Sequence, residues 1–495
     1  MKIKFLLSGC LLLFATVAFS QTGQVVPELK VFDQAMSGLL AAYDIPGGQM
    51  AVTYRGRLVY NRGFGFANTL TRDSVQPTHI FRIADVSKTV TGIACMKLYE
   101  EGKLDLDARV FGSGGILNDA GYQNIIDPRV NDITVRMLLH HEGGWNSEVS
   151  DDPMFSAWAV ASAMGVPSPP PADMIIQYML SQRNLDFDPG TQAHYSNFGY
   201  AVLGRVIEKV TGKDYDDYVA EAILTPLGIT KMKTGFNLSL NHLPGEVSYY
   251  DYPGAPLGYS VYDNVSRVPR PYGGFNIEAM DATAGWVASA HDLMKLICAI
   301  DGFDSRPDIL TKATIEEMAA PSAVEPAFGH GIYVNDFNNW WHSGSLPGSA
   351  STFFRNGSGQ LNWAILLNSC DRNKLVVPAM EELVWNTLPS ITKWPDIDLF
   401  DQYPAGIGEN TTNQGIELFP NPASTILNIA VDSKLRNETA LEIFNPMGRL
   451  VFARRYPKES GLISVDISQF PEGIYLVRTT SGNNQVSVRI IVVKR

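Results

Sequence analysis

Cysteine and charged residues are scarce in this chain, and long apolar runs are missing from its interior. Four cysteines occur in 495 residues, and no Cys-x-x-Cys or Cys/His ligand spacing joins them. A disulfide scaffold or a zinc site is therefore not indicated. Charged residues make up 18% and hydrophobic residues 45%, which excludes a disordered or collagen-like chain. No internal apolar run reaches the roughly 18 residues that a membrane-spanning helix needs.

The charge that is present is mostly negative and unevenly spread. The net charge of −12 argues against a general nucleic-acid binder. Residues 416–495 carry ten Lys/Arg and seven Asp/Glu, whereas residues 21–415 carry 27 basic and 44 acidic residues. This asymmetry indicates two separate domains. Residues 401–415 have few large apolar side chains and are typical of a linker between them.

The amino end has the pattern of a secretory signal peptide. Lys2 and Lys4 form a short basic region, an apolar stretch covers residues 5–19, and small residues stand just before Gln21. This predicts a signal peptide over residues 1–20. A buried core helix is the structural alternative. A lipidation site at Cys10 is a second alternative, but few apolar residues precede it.

The last 80 or so residues alternate in the manner of a small all-β sandwich. Leu427, Ile429 and Val431 fall on one face of a strand at period two. Turn signals recur at intervals of about ten residues, which favours a sandwich of short strands. The predicted strands cover residues 425–431, 440–444, 449–452, 473–478 and 485–493.

Three stretches of this segment carry a more specific signal. They are Leu-Phe-Pro-Asn-Pro-Ala at 418–423, Ile-Phe-Asn-Pro-Met-Gly-Arg at 443–449 and Ile-Ser-Gln-Phe-Pro-Glu-Gly-Ile-Tyr at 467–475. The segment, residues 416–495, resembles the C-terminal sorting domain of the bacterial type IX secretion system. The resemblance implies export through the periplasm and across the outer membrane by that machinery, to the cell surface or beyond. An immunoglobulin-like carbohydrate-binding or adhesion module is the alternative.

The body of the chain has strands at both ends and helices between them. Glycines at 102 and 212 follow two of the helical patterns, as expected for helix ends. The order predicts an α+β domain in which the first and last segments share one antiparallel sheet. The predicted strands cover 50–54, 57–64, 331–334, 350–355 and 361–367, and the predicted helices 85–101, 198–211 and 375–385.

Three short motifs in this body carry the chemical signal. Asp85-Val86-Ser87-Lys88 opens a helix, Tyr195-Ser196-Asn197 precedes another, and His342-Ser343-Gly344-Ser345 precedes a strand. Their order resembles the serine β-lactamase and penicillin-binding protein superfamily, with its Ser-x-x-Lys, Tyr-x-Asn and Lys-Thr-Gly or His-x-Gly motifs. The class C β-lactamases, D-alanyl-D-alanine carboxypeptidases and related esterases are the most similar branches. The resemblance implies a β-lactamase/transpeptidase-like domain over residues 21–400.

The resemblance also assigns roles to residues. A helix start favours negative charge, and a lysine three residues on lies on the same face. The glycine of the third motif lets an edge strand approach the substrate closely, and a nearby backbone N–H completes an oxyanion hole. No cofactor or metal is expected, and the ligand is a small molecule or peptide. The implied catalytic residues are Asp85 at the nucleophile position, Lys88 and Tyr195, and the implied substrate-binding residues are Asn197, His342, Gly344 and Ser345.

Asp85 departs from the family pattern, because serine is the usual nucleophile there. Ser87 cannot replace it, because residues two positions apart in a helix point about 200° away from each other around the helix axis. A carboxylate is a poor nucleophile toward amides and esters. Three hypotheses follow: a secreted acyl hydrolase with some activity, a non-catalytic relative that binds peptidoglycan peptides or another acyl ligand, or a surface protein that kept only the fold. The retained polar residues disfavour the third.

Each motif also has a purely structural interpretation. Asp85 could serve as a helix N-cap with a favourable charge. Asn197 could cap the next helix, and His342 could be a packed core histidine beside two tryptophans. His141 and Glu142 are expected to hold a loop. The proline-rich stretch at 167–171 is expected to be a surface loop.

Overall fold

A computed structural model describes residues 20–400 and most of the strands that follow. The described C-terminal ranges are 416–419, 425–431, 439–444, 450–457, 462–471, 473–481 and 484–492. The predicted linker, and the predicted signal peptide apart from its last residue, lie outside the described residues. The chain divides into two compact units, residues 1–402 and 403–495, and each is described by itself.

The first unit mixes strands and helices in the order expected for an α+β domain. Its strands are β1 (Gln21–Thr22), β2 (Gly47–Tyr54), β3 (Arg57–Asn68), β4 (Asp73–Ser74), β5 (Phe81–Arg82), β6 (Lys233–Thr234), β7 (Gly258–Tyr259), β8 (Arg267–Val268), β9 (Trp286–Ala288), β10 (Tyr333–Val334), β11 (Trp340–Leu346), β12 (Ser349–Asn356) and β13 (Leu361–Leu367). Its α-helices are α1 (Lys30–Ala42), α2 (Ser87–Glu100), α3 (Val135–Leu139), α4 (Ser147–Ser150), α5 (Ala157–Met164), α6 (Ala172–Gln182), α7 (Asn197–Thr211), α8 (Tyr215–Val219), α9 (Ala290–Cys298), α10 (Lys312–Met318) and α11 (Val376–Thr387).

One antiparallel sheet organises this unit. Its strand order is β1-β3-β2-β13-β12-β11-β10, with β4 added to β3. Strand β2 near the amino end pairs with β13 near the carboxyl end, and Met50 lies opposite Ile365. The predicted sharing of one sheet by the two ends is confirmed. The motif strand β11 lies near one edge, next to β12 on one side and the short β10 on the other.

Apolar cores cover both faces of the sheet. One core joins α1 and α11 to residues such as Val52, Phe354 and Trp363. The larger core lies on the other face and includes α2, α7 and α9. Strands β12 and β13 are buried along their whole lengths, as expected for strands covered on both sides.

Helix α2 lies inside the larger core. Nearly every residue from Ser87 to Met96 is inaccessible to solvent, so the helix has no polar face. A one-turn 3-10 helix, Ala84–Val86, leads into it. Gly212 ends α7 in the left-handed conformation at φ 68°, which confirms the glycine stop predicted there.

The second unit consists of short strands in two sheets. The sheet orders are β14-β15-β18 and β17-β16-β19-β20. Leu427 and Ile429 from one sheet share a core with Leu441 and Ile443 from the other, as in a small β-sandwich. The prediction missed β14 and β18. The strands are β14 (Ile416–Phe419), β15 (Ile426–Val431), β16 (Thr439–Phe444), β17 (Leu450–Tyr456), β18 (Leu462–Asp466), β19 (Gly473–Ser481) and β20 (Asn484–Val492).

The thiols and the helices add two simple findings. Cys95, Cys298 and Cys370 are free and buried. Within the part of the chain that the structure describes, no helix combines the length and the apolar character needed to cross a bilayer.

Candidate active site

Asp85 lies in the turn that leads into α2, and its carboxylate is held by three donors. Oδ1 accepts hydrogen bonds from the Lys88 ammonium at 2.9 Å and from the Tyr195 hydroxyl at 3.1 Å. Oδ2 accepts from the backbone N–H of Ser345 at 3.3 Å. No side-chain cap bond is made at this helix start, so the interpretation of Asp85 as an N-cap is wrong.

The turn itself is strained at the residue before Asp85. Ala84 has φ 44°, a conformation that residues with a Cβ rarely adopt. Such strain persists only where surrounding contacts hold it, and it clusters at functional sites. Here the third motif packs directly against the turn, because Gly344 leaves room for it.

Lys88 is fully buried, and its three N–H donors all have acceptors. They bond to Asp85 Oδ1 at 2.9 Å, to Asn197 Oδ1 at 2.6 Å and to the carbonyl of Thr283 at 3.2 Å. An ammonium has three donors, so none is left over. Burial lowers the pKa of Lys88, and the Asp85 carboxylate opposes that shift.

The charge state of Asp85 follows from the same contacts. Burial raises the pKa of its carboxyl, but the Lys88 ammonium and the Ser345 amide outweigh burial and leave the pKa below its usual value. A depressed carboxyl pKa means that the proton binds only as the pH falls through that value. Asp85 is therefore ionised at neutral pH, paired with Lys88.

Tyr195 and Asn197 reach this pair from the start of α7. Ser196 caps the helix by accepting a hydrogen bond from the N–H of Gly199 at 3.1 Å, so the interpretation of Asn197 as the cap is wrong. The side-chain amide of Asn197 therefore takes part in the site. The oxygen faces Lys88, and the nitrogen donates to Asp152 Oδ2 at 2.6 Å.

Asp152 is a site residue that sequence reasoning missed. It precedes Pro153 and starts a short 3-10 helix by accepting from the N–H of Met154 at 2.9 Å. An aspartate before a proline is typical of any loop, so nothing in the sequence marked it. Burial raises its pKa, while Asn197 and Lys88 act in the opposite direction.

His141 forms the packing surface behind Tyr195. Its ring lies 4.4 Å from the Tyr195 ring, and its Nδ1 accepts from the N–H of Ser196 at 3.1 Å. Burial holds the pKa of His141 well below its usual value, so the ring is neutral. It fixes the backbone that presents Tyr195, which is the loop-holding role expected for it.

The third motif is a strand rather than a loop before one, because β11 begins at Trp340. His342 is completely buried, with its ring 6.2 Å from Tyr195 and 5.5 Å from Tyr333. Burial lowers its pKa to about 4, so the ring is neutral at pH 7. His342 is packed like a core histidine and is also part of this cluster.

Ser87 points elsewhere, as its position on the helix predicts. The side chain is fully buried, and its Oγ accepts a hydrogen bond from the N–H of Trp286 at 3.2 Å. The hydroxyl has no access to the cleft that Asp85 faces. Across the described ranges, no group of three or more His, Cys, Asp or Glu side chains is placed to hold a metal ion.

Gly344 is required for the close approach of β11 to the Asp85 turn. A Cβ at this position would lie 2.3 Å from the backbone nitrogen of Asp85. We expect Gly344→Ala to push the strand away, weaken the Ser345–Asp85 bond and destabilise the first unit by about 1–3 kcal/mol. Urea unfolding followed by tryptophan fluorescence measures this loss.

Gly38 in α1 provides the matched control. A Cβ there meets nothing within 4 Å, and alanine favours a helix over glycine by about 1 kcal/mol. Gly38→Ala should therefore leave stability unchanged or raise it. Equal effects of the two substitutions would contradict the close approach of β11.

Comparison with known proteins identifies the family of the first unit. The β-lactamase family model matches residues 32–379. Curated relatives include a probable fimbrial assembly protein FimD of Dichelobacter nodosus, 27% identical over 57% of this chain and 64% of the relative. Protein flp of Staphylococcus aureus is 24% identical over 68% of this chain and 62% of the relative. The chain thus spans a little under two thirds of each relative.

Solved structures with the same fold include an amidase and a penicillin-binding protein homologue. A D-amino acid amidase from Ochrobactrum anthropi, complexed with L-phenylalanine amide, has a TM-score of 0.56 at 20% identity, over 74% of this chain and 99% of the other. An octameric penicillin-binding protein homologue from Pyrococcus abyssi has a TM-score of 0.53 at 20% identity, over 94% of this chain and 96% of the other. At this identity the likeness concerns the fold alone.

The second unit is matched independently. The model of the secretion system C-terminal sorting domain covers residues 417–494, which confirms the predicted sorting segment. It indicates export by the type IX system to the cell surface or beyond. With the family model matched over most of the chain and the three motifs in contact with one another, the protein belongs to the β-lactamase family and carries a C-terminal secretion sorting domain.

Proposed function

We propose that this exported protein is a non-acylating member of its family, which binds an acyl or peptide ligand in the cleft without forming a covalent intermediate. The observation that carries the proposal is the engagement of the Asp85 carboxylate by Lys88, Tyr195 and the Ser345 amide. These are the groups that a serine nucleophile would need for proton transfer and oxyanion stabilisation. In this protein they hold a carboxylate instead.

The chemistry of a carboxylate supports the same proposal. Attack of Asp85 on an ester or amide would form an anhydride, which is less stable than the reactant. The Oδ2 oxygen also occupies the Ser345 N–H, which would otherwise stabilise an oxyanion. The buried Ser87 hydroxyl offers no replacement nucleophile.

The expected ligand is a small amide or peptide. The fold is shared with an amidase bound to an amino-acid amide and with a penicillin-binding protein homologue, which supports peptide-like ligands such as peptidoglycan stem peptides. An acyl hydrolase with residual activity is the alternative, and covalent labelling separates the two.

The test is intact-protein mass after incubation of the wild-type protein with a fluorophosphonate or with benzylpenicillin. We expect no added mass, and ester turnover at the background rate. A stoichiometric adduct mapped to any residue of the cleft would overturn the non-acylating proposal and favour the hydrolase.

Export predicts a specific mature form. We expect the surface protein to begin near Gln21 and to lack residues 416–495. Gln21 lies in β1, which pairs with Phe64 on β3, so a chain that begins there keeps its first strand. N-terminal sequencing and intact mass of the surface protein check this. Finding residues 416–495 still attached would contradict removal of the sorting domain.

A further inference from the structure

The charges around Asp85 differ from those that a carboxylate ligand would need. We propose that the cleft selects ligands through a primary ammonium group, which binds against the partly exposed carboxylate of Asp85. This inference rests on the proposed function and names the ligand class for the same cleft. It follows from which charges are buried, which are already paired and which face solvent.

Lys88 cannot bind an anionic ligand in this arrangement. Its side chain is 0% exposed, and its three donors are taken by Asp85, Asn197 and the Thr283 carbonyl. A ligand carboxylate would have to displace one of these buried acceptors and leave it without a donor, which costs about 1–3 kcal/mol or more. The Lys88 ammonium therefore binds protein groups and is not available to a ligand.

Asp85 is the member of the pair that faces the cleft. Its side chain is 20% exposed, so a ligand meets the carboxylate before the ammonium. Oδ1 already accepts two hydrogen bonds, whereas Oδ2 accepts only the longer one from Ser345 at 3.3 Å. A carboxylate oxygen has two lone pairs, so Oδ2 can accept a further N–H donor.

The other titratable groups around the pair add no positive charge. Asp152, bonded to Asn197 at 2.6 Å, is a second carboxylate beside Lys88. Burial lowers the pKa of His342 to about 4 and holds the pKa of His141 well below its usual value, so both rings are neutral. Asp85 is therefore the charged group of this cluster that is partly exposed, whereas the Lys88 ammonium is fully buried.

Tyr333 in β10 is another titratable group beside His342, with 5.5 Å between the ring centroids. Burial raises the pKa of Tyr333 to about 12, and the carboxylates of Asp85, Glu325 and Glu381 raise it in the same direction. Tyr333 is therefore neutral at pH 7 and, like the two histidines, adds no charge to the site.

Aromatic rings complete the surroundings that suit an ammonium. Phe328 lies 6.4 Å from the ring of Tyr195 and 4.7 Å from that of Tyr333. Ring faces attract a nearby cation. His342 lies among these rings; its Nδ1 faces the Ser343 carbonyl at 3.0 Å, and its buried Nε2 has no hydrogen-bond partner within the described residues. With the proton on Nδ1, Nε2 is an acceptor that suits N–H donors.

A charge series of one ring tests the proposal on the wild-type chain. Benzylamine, benzyl alcohol and benzoate carry charges of plus one, zero and minus one on nearly the same framework. In NMR titrations at low salt, we expect benzylamine to bind at least about tenfold more tightly than benzyl alcohol, and benzoate to show no saturable binding. Benzoate binding as well as benzylamine would overturn the proposal.

Asp85→Asn keeps the side-chain shape and removes the charge, and it should abolish the tenfold preference for benzylamine. Asp396→Asn is the matched control, because this carboxylate is 93% exposed beside Arg57 at the start of β3 and should leave the preference unchanged. Equal loss in both variants would mean nonspecific attraction to an acidic protein and would overturn the proposal. Labelling by a fluorophosphonate is measured separately. A labelled wild type would contradict the non-acylating function, whereas a missing preference for benzylamine would contradict only the proposed ligand class.

Discussion

Replacing Asp85 by serine is expected to give the protein a covalent reactivity that the wild type lacks. Asp85→Ser restores the Ser-x-x-Lys pattern at the start of α2, where Lys88 and Tyr195 already converge within 3.1 Å of the Asp85 carboxylate. It also frees the Ser345 N–H, which now bonds Asp85 Oδ2, for an oxyanion. General-base assistance contributes about 10²–10⁴-fold, so labelling by a fluorophosphonate should exceed wild type by at least about a hundredfold.

Asp85→Ala is the matched control for this gain. It removes the same carboxylate but supplies no hydroxyl, so it should remain unlabelled. Intact mass followed by peptide mapping must place the adduct on residue 85. If Asp85→Ser stays unlabelled while the protein is folded, then the remaining groups of the site are not arranged for acyl transfer, and the nucleophile position alone does not explain the missing activity.

Removing the charge of Lys88 is expected to cause the largest loss of stability. The ammonium is fully buried and offsets the ionised Asp85 at 2.9 Å. Breaking a buried ion pair by removing one partner leaves the other charge uncompensated, which costs about 3–5 kcal/mol. Lys88→Met should lower the free energy of unfolding by that amount. The double variant with Asp85→Asn should recover part of the loss, since neither charge then remains.

Tryptophan fluorescence in urea measures this loss on the full chain. All eight tryptophans lie before residue 395, so the signal reports the first unit alone. Lys312→Met is the control, because that lysine is 88% exposed and 4.0 Å from Glu316, where ion pairs contribute about 0–1 kcal/mol. A loss below about 1 kcal/mol for Lys88→Met would show that Lys88 does not hold a buried charge.

Much of the fold could be predicted from local sequence signals. The strand candidates at 50–54 and 361–367 predicted β2 and β13, and the pairing of the chain ends follows from the α+β order. Glycine at the end of a helical pattern located the stop of α7. The period-two spacing of Leu427, Ile429 and Val431 predicted β15. These features depend on residues close together in the chain.

The parts that were missed depend on contacts between distant residues. Strands β5, β6 and β9 have two or three residues each, too few for a periodic signal. The helical pattern at 85–101 predicted α2, but not that every residue from Ser87 to Met96 is buried. Asp152 reaches Asn197 across 45 positions, and no local pattern marks that contact.

For the functional site too, local motifs predicted some features and long-range contacts decided the others. The motifs predicted which side chains carry the chemistry, because Asp85, Lys88 and Tyr195 stand at fixed places relative to their helices. The sequence left two options for Asp85 and for Asn197, a helix cap or a site residue. Only the structure shows that Ser196 caps α7 and that the Asp85 oxygens face Lys88, Tyr195 and Ser345.

The charge of Asp85 is the central claim, because both the missing nucleophile and the ammonium ligand depend on it. A carbon-13 NMR titration of the Asp85 carboxyl carbon, identified by its absence in Asp85→Asn, measures that charge directly. Lys88 and the Ser345 amide hold the pKa below its usual value. We therefore expect the chemical shift of an ionised carboxylate, unchanged between about pH 5 and pH 9. A carboxyl carbon that titrates within that range, or that has the shift of a protonated acid at neutral pH, would contradict it.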